Sequence, residues 1–488
     1  MKTIKKILLA LAGLCLLVTC TESDKFDDEM SADNLKKASG VAFVVEPNGL
    51  DDTDNLYSAF SQAIDAGPGA IVQLTAGEFF ISRPVVVADF NGIFRGAGKD
   101  LTKITNLDDV PFPLVPDWPG IPWEASTLFN FYQTSEAPVS IKISDMSLEL
   151  RGRSEPWPGT EDNRFHQIIG VYGQLNGIKD MYPTKLDYAF ESVAFIAEMS
   201  NDWEQFNGNN GLQLWAEFFP DTYETEFMTG TYTIQNCSFK NLPEGIGCGT
   251  MSNSKLIIGG DKKHGNEFEN SWWALVGIDF SNSVAEFSFN KLKNVSIAGV
   301  QITQGYGYPL LGQIFTSSDI IIKHNDFHLI LWGDGIVLED DPYSIYDNTT
   351  LKSVVSDNYL NLDNTIFRGI YGWGIQDALV KNNTIVGSGL AGITAGSCPD
   401  GSSGCDDNDC SGWKIIGNNL EKLDAEVAPI WLGPGSSDCL VVGDGNPTLV
   451  LDEGTNNILI KAESLIPKKN RVNHGIKIEM RSRRGFRL

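Results

Sequence analysis

The chain has 488 residues, 42% of them hydrophobic and 20% charged, a globular rather than a disordered mix. Its formal net charge is −26, and residues 461–488 gather nine Lys/Arg against two Glu, so the remainder is more acidic still. Nucleic acid needs basic surface, so this balance excludes it as a partner. An array of phosphate or sulfate contacts is excluded too, unless a cation bridges it.

In chain order, Lys2, Lys5 and Lys6 precede an apolar run from Ile7 to Val18. The run is too short to span a bilayer and suits a signal-peptide core. It ends Leu17-Val18-Thr19-Cys20, which resembles a bacterial lipobox with Thr19 where that pattern prefers Gly, Ala or Ser. The resemblance implies a signal peptide over residues 1–19, cleavage before Cys20 and a lipid on its sulfur; the alternative is an ordinary secreted protein. Residues 20–40 open with the acidic stretch Thr21 to Glu29 and read as a surface tether. That stretch is similar to the short signals that send some lipoproteins to the outer face of the outer membrane. The expected location is the outer membrane, lipid-anchored and exposed at the cell surface, with the lipid as the sole membrane contact.

Leu56, Phe60, Ala63 and Ile64 share one face at helical spacing, which predicts a helix over 51–66 that ends at Gly67-Pro68-Gly69. Short strands follow at Ile71–Leu74, Phe79–Ile81, Val85–Val87 and Ile93–Gly98. One amphipathic helix before many strands suggests a cap on the open end of a stack. Residues 107–230 are interrupted by Pro111, Pro113, Pro116, Pro119 and Pro122, with strand-like pieces at Val139–Ile143 and Tyr188–Phe190. They read as two coils carrying long insertions.

From 231 onward a pattern recurs. Asn236, Asn290, Asn325, Asn358, Asn383 and Asn419 each follow a short apolar strand, the last four at spacings of 33, 25 and 36 residues. Asn tolerates the left-handed backbone of a sharp bend, and its amide can bond the coil above. Strands also begin with a small residue and an aliphatic: Gly245-Ile246, Gly277-Ile278, Gly299-Val300, Gly335-Ile336, Gly369-Ile370, Gly392-Ile393 and Pro429-Ile430. With the aliphatics inward, the residues one and three beyond them share an outer sheet. These include Asp279, Gln301, Thr303, Val337, Glu339, Tyr371, Trp373 and Trp431.

Asp51-Asp52-Thr53, the helix, Gly77-Glu78-Phe79-Phe80-Ile81, Ile93-Phe94-Arg95-Gly96-Ala97-Gly98 and the Asn corners together resemble the pectate-lyase-like superfamily. The resemblance implies an all-β fold: a single-stranded, right-handed parallel β-helix over residues 41–455 with an N-terminal helical cap. Residues 456–488 are left as a C-terminal cap or basic tail. A leucine-rich repeat also places Asn after apolar residues, but its Leu-x-x-Leu-x-Leu spacing and recurrent helix are missing. The fold hosts many activities, so function is argued from the site.

Outside the cytoplasm Cys237, Cys248, Cys398, Cys405, Cys410 and Cys439 can pair, and the loop Cys398 to Cys410 reads as stapled by at least one bridge. Its Asp400, Asp406, Asp407 and Asp409 offer a Ca²⁺ alternative without EF-hand spacing. No cofactor is required by the reading; Ca²⁺ is the ion it admits.

β-Helices offer long shallow grooves suited to polymers, and sugar rings are gripped by aromatic faces and polar groups on rigid strands. Tyr371, Trp373 and Trp431 are the candidate platforms, Gln301 a polar contact, and Trp273 and Trp332 candidate rim residues. A glycoside hydrolase needs two carboxyls: Asp279 and Glu339, with Asp340 and Asp341 adding charge. A polysaccharide lyase needs a base and a cation: Arg368 with Tyr371, or Ca²⁺ held by Asp279, Glu339 or Asp340. Arg368 has the alternative of pairing with Asp334 one coil away. The Gly-His-Gly and Arg-Ile-Lys of polygalacturonases are absent, and Asp341-Pro342-Tyr343 only echoes the Asp-Pro-His of alginate epimerases. The sequence thus points to a monomeric surface lipoprotein that binds a polysaccharide and cleaves it as a hydrolase or lyase. The alternative is a non-catalytic glycan-binding or adhesive protein.

Overall fold

The computed structural model describes residues 40–107, 127–134, 137–151, 165–174, 185–197, 208–215, 218–219, 224–225, 228–304, 308–309, 316–330, 333–340, 351–363, 367–396, 410–443 and 449–461. Cys20, Trp332, Asp341, Cys398, Cys405, the four Asp of the 398–410 loop and the basic tail lie outside them.

The chain winds as a parallel β-helix. Among the described residues thirty-one strands form one sheet. Each strand pairs in parallel with the strand one coil on, from Ala42–Val45 on Ala70–Leu74 to Leu440–Gly443 on Ile458–Lys461. Three runs of stacked strands make the sides. The third holds Gly208–Trp215, Glu244–Ser252, the later parts of Glu267–Ser281 and Lys291–Gln304, Asp334–Asp340, Arg368–Trp373, and the later parts of Thr384–Ala395 and Leu423–Leu432. No helix recurs from coil to coil among the described residues, which removes the leucine-rich alternative.

The single described helix, α1 (Thr53–Ala66), sits at the N-terminal end. Leu56, Ala59, Phe60 and Ala63 are buried, and the Phe60 ring meets Phe90, Phe94 and Phe131 at 5.1–5.9 Å. Its approach is pinned from behind. The fully buried Asp52 carboxylate accepts from Asn48 N and Phe80 N, and Asp51 accepts from Thr53 N and Ser82 Oγ.

Aliphatics fill the interior in register: Ile246, Leu275, Val300, Ile336, Ile370, Ile393 and Ile430 pair coil to coil and are all buried. One member differs from the sequence expectation. Leu275, not Ile278, pairs with Val300, so Gly277-Ile278 lies three residues past the ladder position. A bulge between Ser271 and Trp273 accompanies this shift.

The Asn ladder is continuous through Asn266, Asn290, Asn325, Asn358, Asn383 and Asn418. Each Nδ2 before the last donates to the Oδ1 of the following Asn at 2.9–3.1 Å. The residue before the ladder position takes the left-handed bend: Phe289, His324, Asp357, Asn382 and Gly417 have φ between 55° and 62°. Asn236 occupies the bend rather than the ladder, where Cys237 stands instead, its N–H donating to Asn266 Oδ1 at 2.8 Å. At the last corner Asn418 rather than Asn419 carries the ladder.

Candidate functional site

The outward rows of the third side bring together most of the polar and aromatic residues singled out from the sequence. Val276, Gln301, Val337, Tyr371, Thr394 and Trp431 form one row, and Ile278, Thr303, Glu339 and Trp373 the next. Before the aliphatic ladder a third row runs Glu244, Trp273, Ala298 and Asp334, with Arg368 following Asp334. Ala298, Val337 and Tyr371 form an apolar cluster separate from the main core, with Trp273 and Trp373 half-buried against it.

Glu339 lies in a chain of hydrogen bonds that crosses three coils. Trp273 Nε1 donates to Gln301 Oε1 (3.0 Å), Gln301 Nε2 donates to Glu339 Oε2 (3.2 Å), and Thr303 Oγ1 donates to the same oxygen (3.1 Å). Burial raises the Glu339 carboxyl above its ordinary range. The donors Thr303 and Gln301 pull it down, and the Asp334 charge raises it.

Arg368 is buried and held by Asp334. Arg368 N and Nε donate to Asp334 Oδ1 at 2.7 and 3.2 Å, and Nη2 donates to Oδ2 at 3.1 Å. The guanidinium lies 3.6 Å from the Tyr371 ring centroid. Burial raises the Asp334 carboxyl and Arg368 opposes it. Burial also lifts the Tyr371 hydroxyl to about 12, which removes it as a base near neutral pH.

The residues singled out from sequence therefore separate. Gln301, Glu339, Arg368, Tyr371 and Trp373 share the outer side, and Trp273 and Thr303 join them. Asp279 does not pair with Glu339 as expected. It is 1% exposed, lies one residue past the row of Ile278 and Thr303, and makes a left-handed bend with φ 55°. The three-residue offset of Gly277-Ile278 explains the error. Asp340 follows Glu339 in the strand, pairs with Gln304 and leaves the Glu339 row. Tyr371 and Trp431 are buried, at 6% and 8% exposure, rather than open platforms. Trp431 Nε1 donates to Glu453 Oε2 (3.0 Å) near the last coils. Among the described residues Cys237, Cys248, Cys410 and Cys439 are free buried thiols. No three His, Cys, Asp or Glu converge as a metal cluster among the described residues.

Sequence reasoning passed over Glu244, one position before Gly245-Ile246. The same offset before Gly335-Ile336 and Gly369-Ile370 gives Asp334 and Arg368, and that offset is the signal. Gln213 Nε2 donates to Glu244 Oε1 (2.8 Å). Burial pushes the Glu244 carboxyl up to about 7, against the pull of Gln213. The residue is half-buried.

No protein-family model and no curated protein matches the chain. Solved structures do. The chain is similar to the Dettilon tailspike protein at 14% identity and a TM-score of 0.52, over 87% of this chain and 69% of that one. It is also similar to the A-module of a mannuronan C-5 epimerase from Azotobacter vinelandii at 15% identity and a TM-score of 0.41, over 87% of this chain and 96% of that one. A third match is the catalytic domain of a GH87 α-1,3-glucanase, at 14% identity and a TM-score of 0.48, over 87% and 69%. At these identities the likeness is one of fold.

Proposed function

We propose that the chain binds a polysaccharide along the outward rows of its third side, at the cell surface, anchored through lipid on Cys20. The observation that carries this reading is the pairing of half-buried Trp273 and Trp373 with the Gln301–Glu339–Thr303 hydrogen-bond chain on rigid strands. Aromatic rings beside fixed donors and acceptors are what sugar rings demand. Trp373 Nε1 is buried without a hydrogen-bond partner among the described residues, a donor that a sugar hydroxyl would satisfy.

A second reading has one specific support. The raised Glu339 carboxyl suits a general acid, which makes hydrolysis of a glycosidic bond the catalytic alternative. Elimination is less well supported, because Arg368 is engaged by Asp334 and Tyr371 instead of standing free for a uronate.

The test is a panel of polysaccharides run by affinity electrophoresis, with product assays alongside. Retention that Trp273→Ala and Trp373→Ala abolish supports binding. New reducing ends that vanish in Glu339→Gln support hydrolysis. Absorbance in the unsaturated-uronate band would replace it with elimination. A panel with no retained polymer refutes the binding reading.

A further inference from the structure

Resting on that reading, we propose that Asn210, Gln213 and Glu244 form a second sugar subsite, with Glu244 three coils before Glu339 and the other two one coil further back, that receives the hydroxyl groups of an uncharged sugar ring.

The geometry is built into the coils. Leu212 pairs with Ile246, so Gln213 stands on the outward row beside Gly247, and Asn210 lies one coil before Glu244. Gly247 leaves the space that Gln213 and Glu244 occupy. A Cβ at that position would lie 2.0 Å from Glu244 Oε1 and 2.3 Å from Gln213 Oε1. Those two side chains therefore lie across the strand where any other residue would displace them. Asn210 is 7% exposed, yet its Oδ1 has no hydrogen-bond partner among the described residues. A buried acceptor left unpaired is destabilising, and a ligand hydroxyl is the group that would satisfy it. Trp273 follows Glu244 in register on the next coil, so the subsite is continuous with the chain of bonds that ends at Glu339. The separation is roughly 14 Å at the usual strand spacing, and an extended polymer laid along the stacking axis would contact both.

The ligand class follows from charge. Among the described residues the Glu244 carboxyl meets the Gln213 amide and no Lys or Arg. Cys248, on the core side, feels the Glu244 charge, and burial keeps that thiol protonated. Around pH 6 the Glu244 carboxyl keeps its proton and can donate one hydrogen bond while accepting others. Above neutrality it loses that donor and adds negative charge to an already acidic protein. Among the described residues a uronate or sulfate finds no counter-charge at the Glu244 carboxyl at either pH; a neutral sugar finds donors and acceptors.

The experiment uses the full chain in affinity electrophoresis with soluble laminarin, arabinoxylan and glucomannan as neutral probes. Polygalacturonate and chondroitin sulfate are the acidic probes, all at about pH 5.5 and about pH 8.5. For a subsite needing the protonated acid, affinity for a neutral probe falls about 30-fold across that interval. Glu244→Gln, a neutral isostere, flattens the profile, and Asn210→Ala weakens retention about ten-fold at the lower pH. Superimposable pH profiles for wild type and Glu244→Gln, or a preference for the acidic probes, overturn the subsite while leaving the polysaccharide reading intact. Retention of no probe by the wild type overturns both.

Discussion

Replacing Asn325 with Ala tests whether the corner ladder holds the stack together. Asn325 makes four side-chain hydrogen bonds. Its Oδ1 accepts from Asn290 N (2.9 Å) and Nδ2 (3.1 Å), and its Nδ2 donates to Phe287 O (2.9 Å) and Asn358 Oδ1 (3.0 Å). Asn325, Asn290 and Asn358 are each 1–2% exposed, so water cannot readily replace the lost partners. At about 1 kcal/mol net per bond the loss is roughly 4 kcal/mol, and orphaned donors push it higher. That is a large share of an ordinary domain's stability, about 5–15 kcal/mol. Asn418 makes three such bonds, to Asn383 and Val380, so Asn418→Ala should cost roughly 1 kcal/mol less. Guanidinium unfolding gives the total, and native-state hydrogen exchange gives the location. In a stack of near-neighbour units, protection should fall first in the flanking coils. A cost below about 1 kcal/mol, or a loss of protection spread evenly from end to end, would refute the reasoning.

Three further outcomes follow from the same contacts. Arg368→Ala strands Asp334 without its counter-charge at 9% exposure and should cost about 3–5 kcal/mol, read as a fall in the denaturant midpoint. Glu244 binds its proton more tightly folded, at about 7, than at the ordinary 4.5. The fold should therefore lose roughly 3 kcal/mol as pH rises from about 4.5 through 7. Urea titrations across that range should show the loss in wild type and not in Glu244→Gln. Cys237→Asn puts an amide at the ladder position whose N–H already donates to Asn266. It should add about 1 kcal/mol, seen as a raised midpoint; a drop would mean that the first coil cannot accept the larger side chain.

The fold was legible because its two constraints repeat in the primary structure. A small residue before an inward aliphatic lets coils stack closely, and an amide at the corner joins them. The register within one coil was not legible. Gly277-Ile278 has the same local form as Gly299-Val300, yet Ala274-Leu275 occupies the ladder position. Only the pairing of Glu267–Ser281 across two coils, with its bulge, decides between them, and that is a long-range property. The same slip moved Asp279 from a presumed catalytic row to a bend. Asn266 was missed because no aliphatic strand immediately precedes it. Burial of Tyr371 was hidden for another reason: its ring is covered by Arg368, whose position depends on Asp334 one coil away.

The site inherits its rigidity from that register. Leu338 packs inside while Glu339 next to it faces outward, so a one-residue slip would bury the carboxyl and expose the leucine. Each bond from Trp273 to Gln301 to Glu339 crosses a coil boundary. The spacing of the polar groups is therefore fixed by backbone pairing rather than by loops. Glu244 and Glu339 stand on that one ruler, and the interior aliphatics that hold the coils in step also hold the two carboxyls at a set distance. A ligand that touches both must match the pitch of the stack, which favours a regular polymer over a small compact molecule.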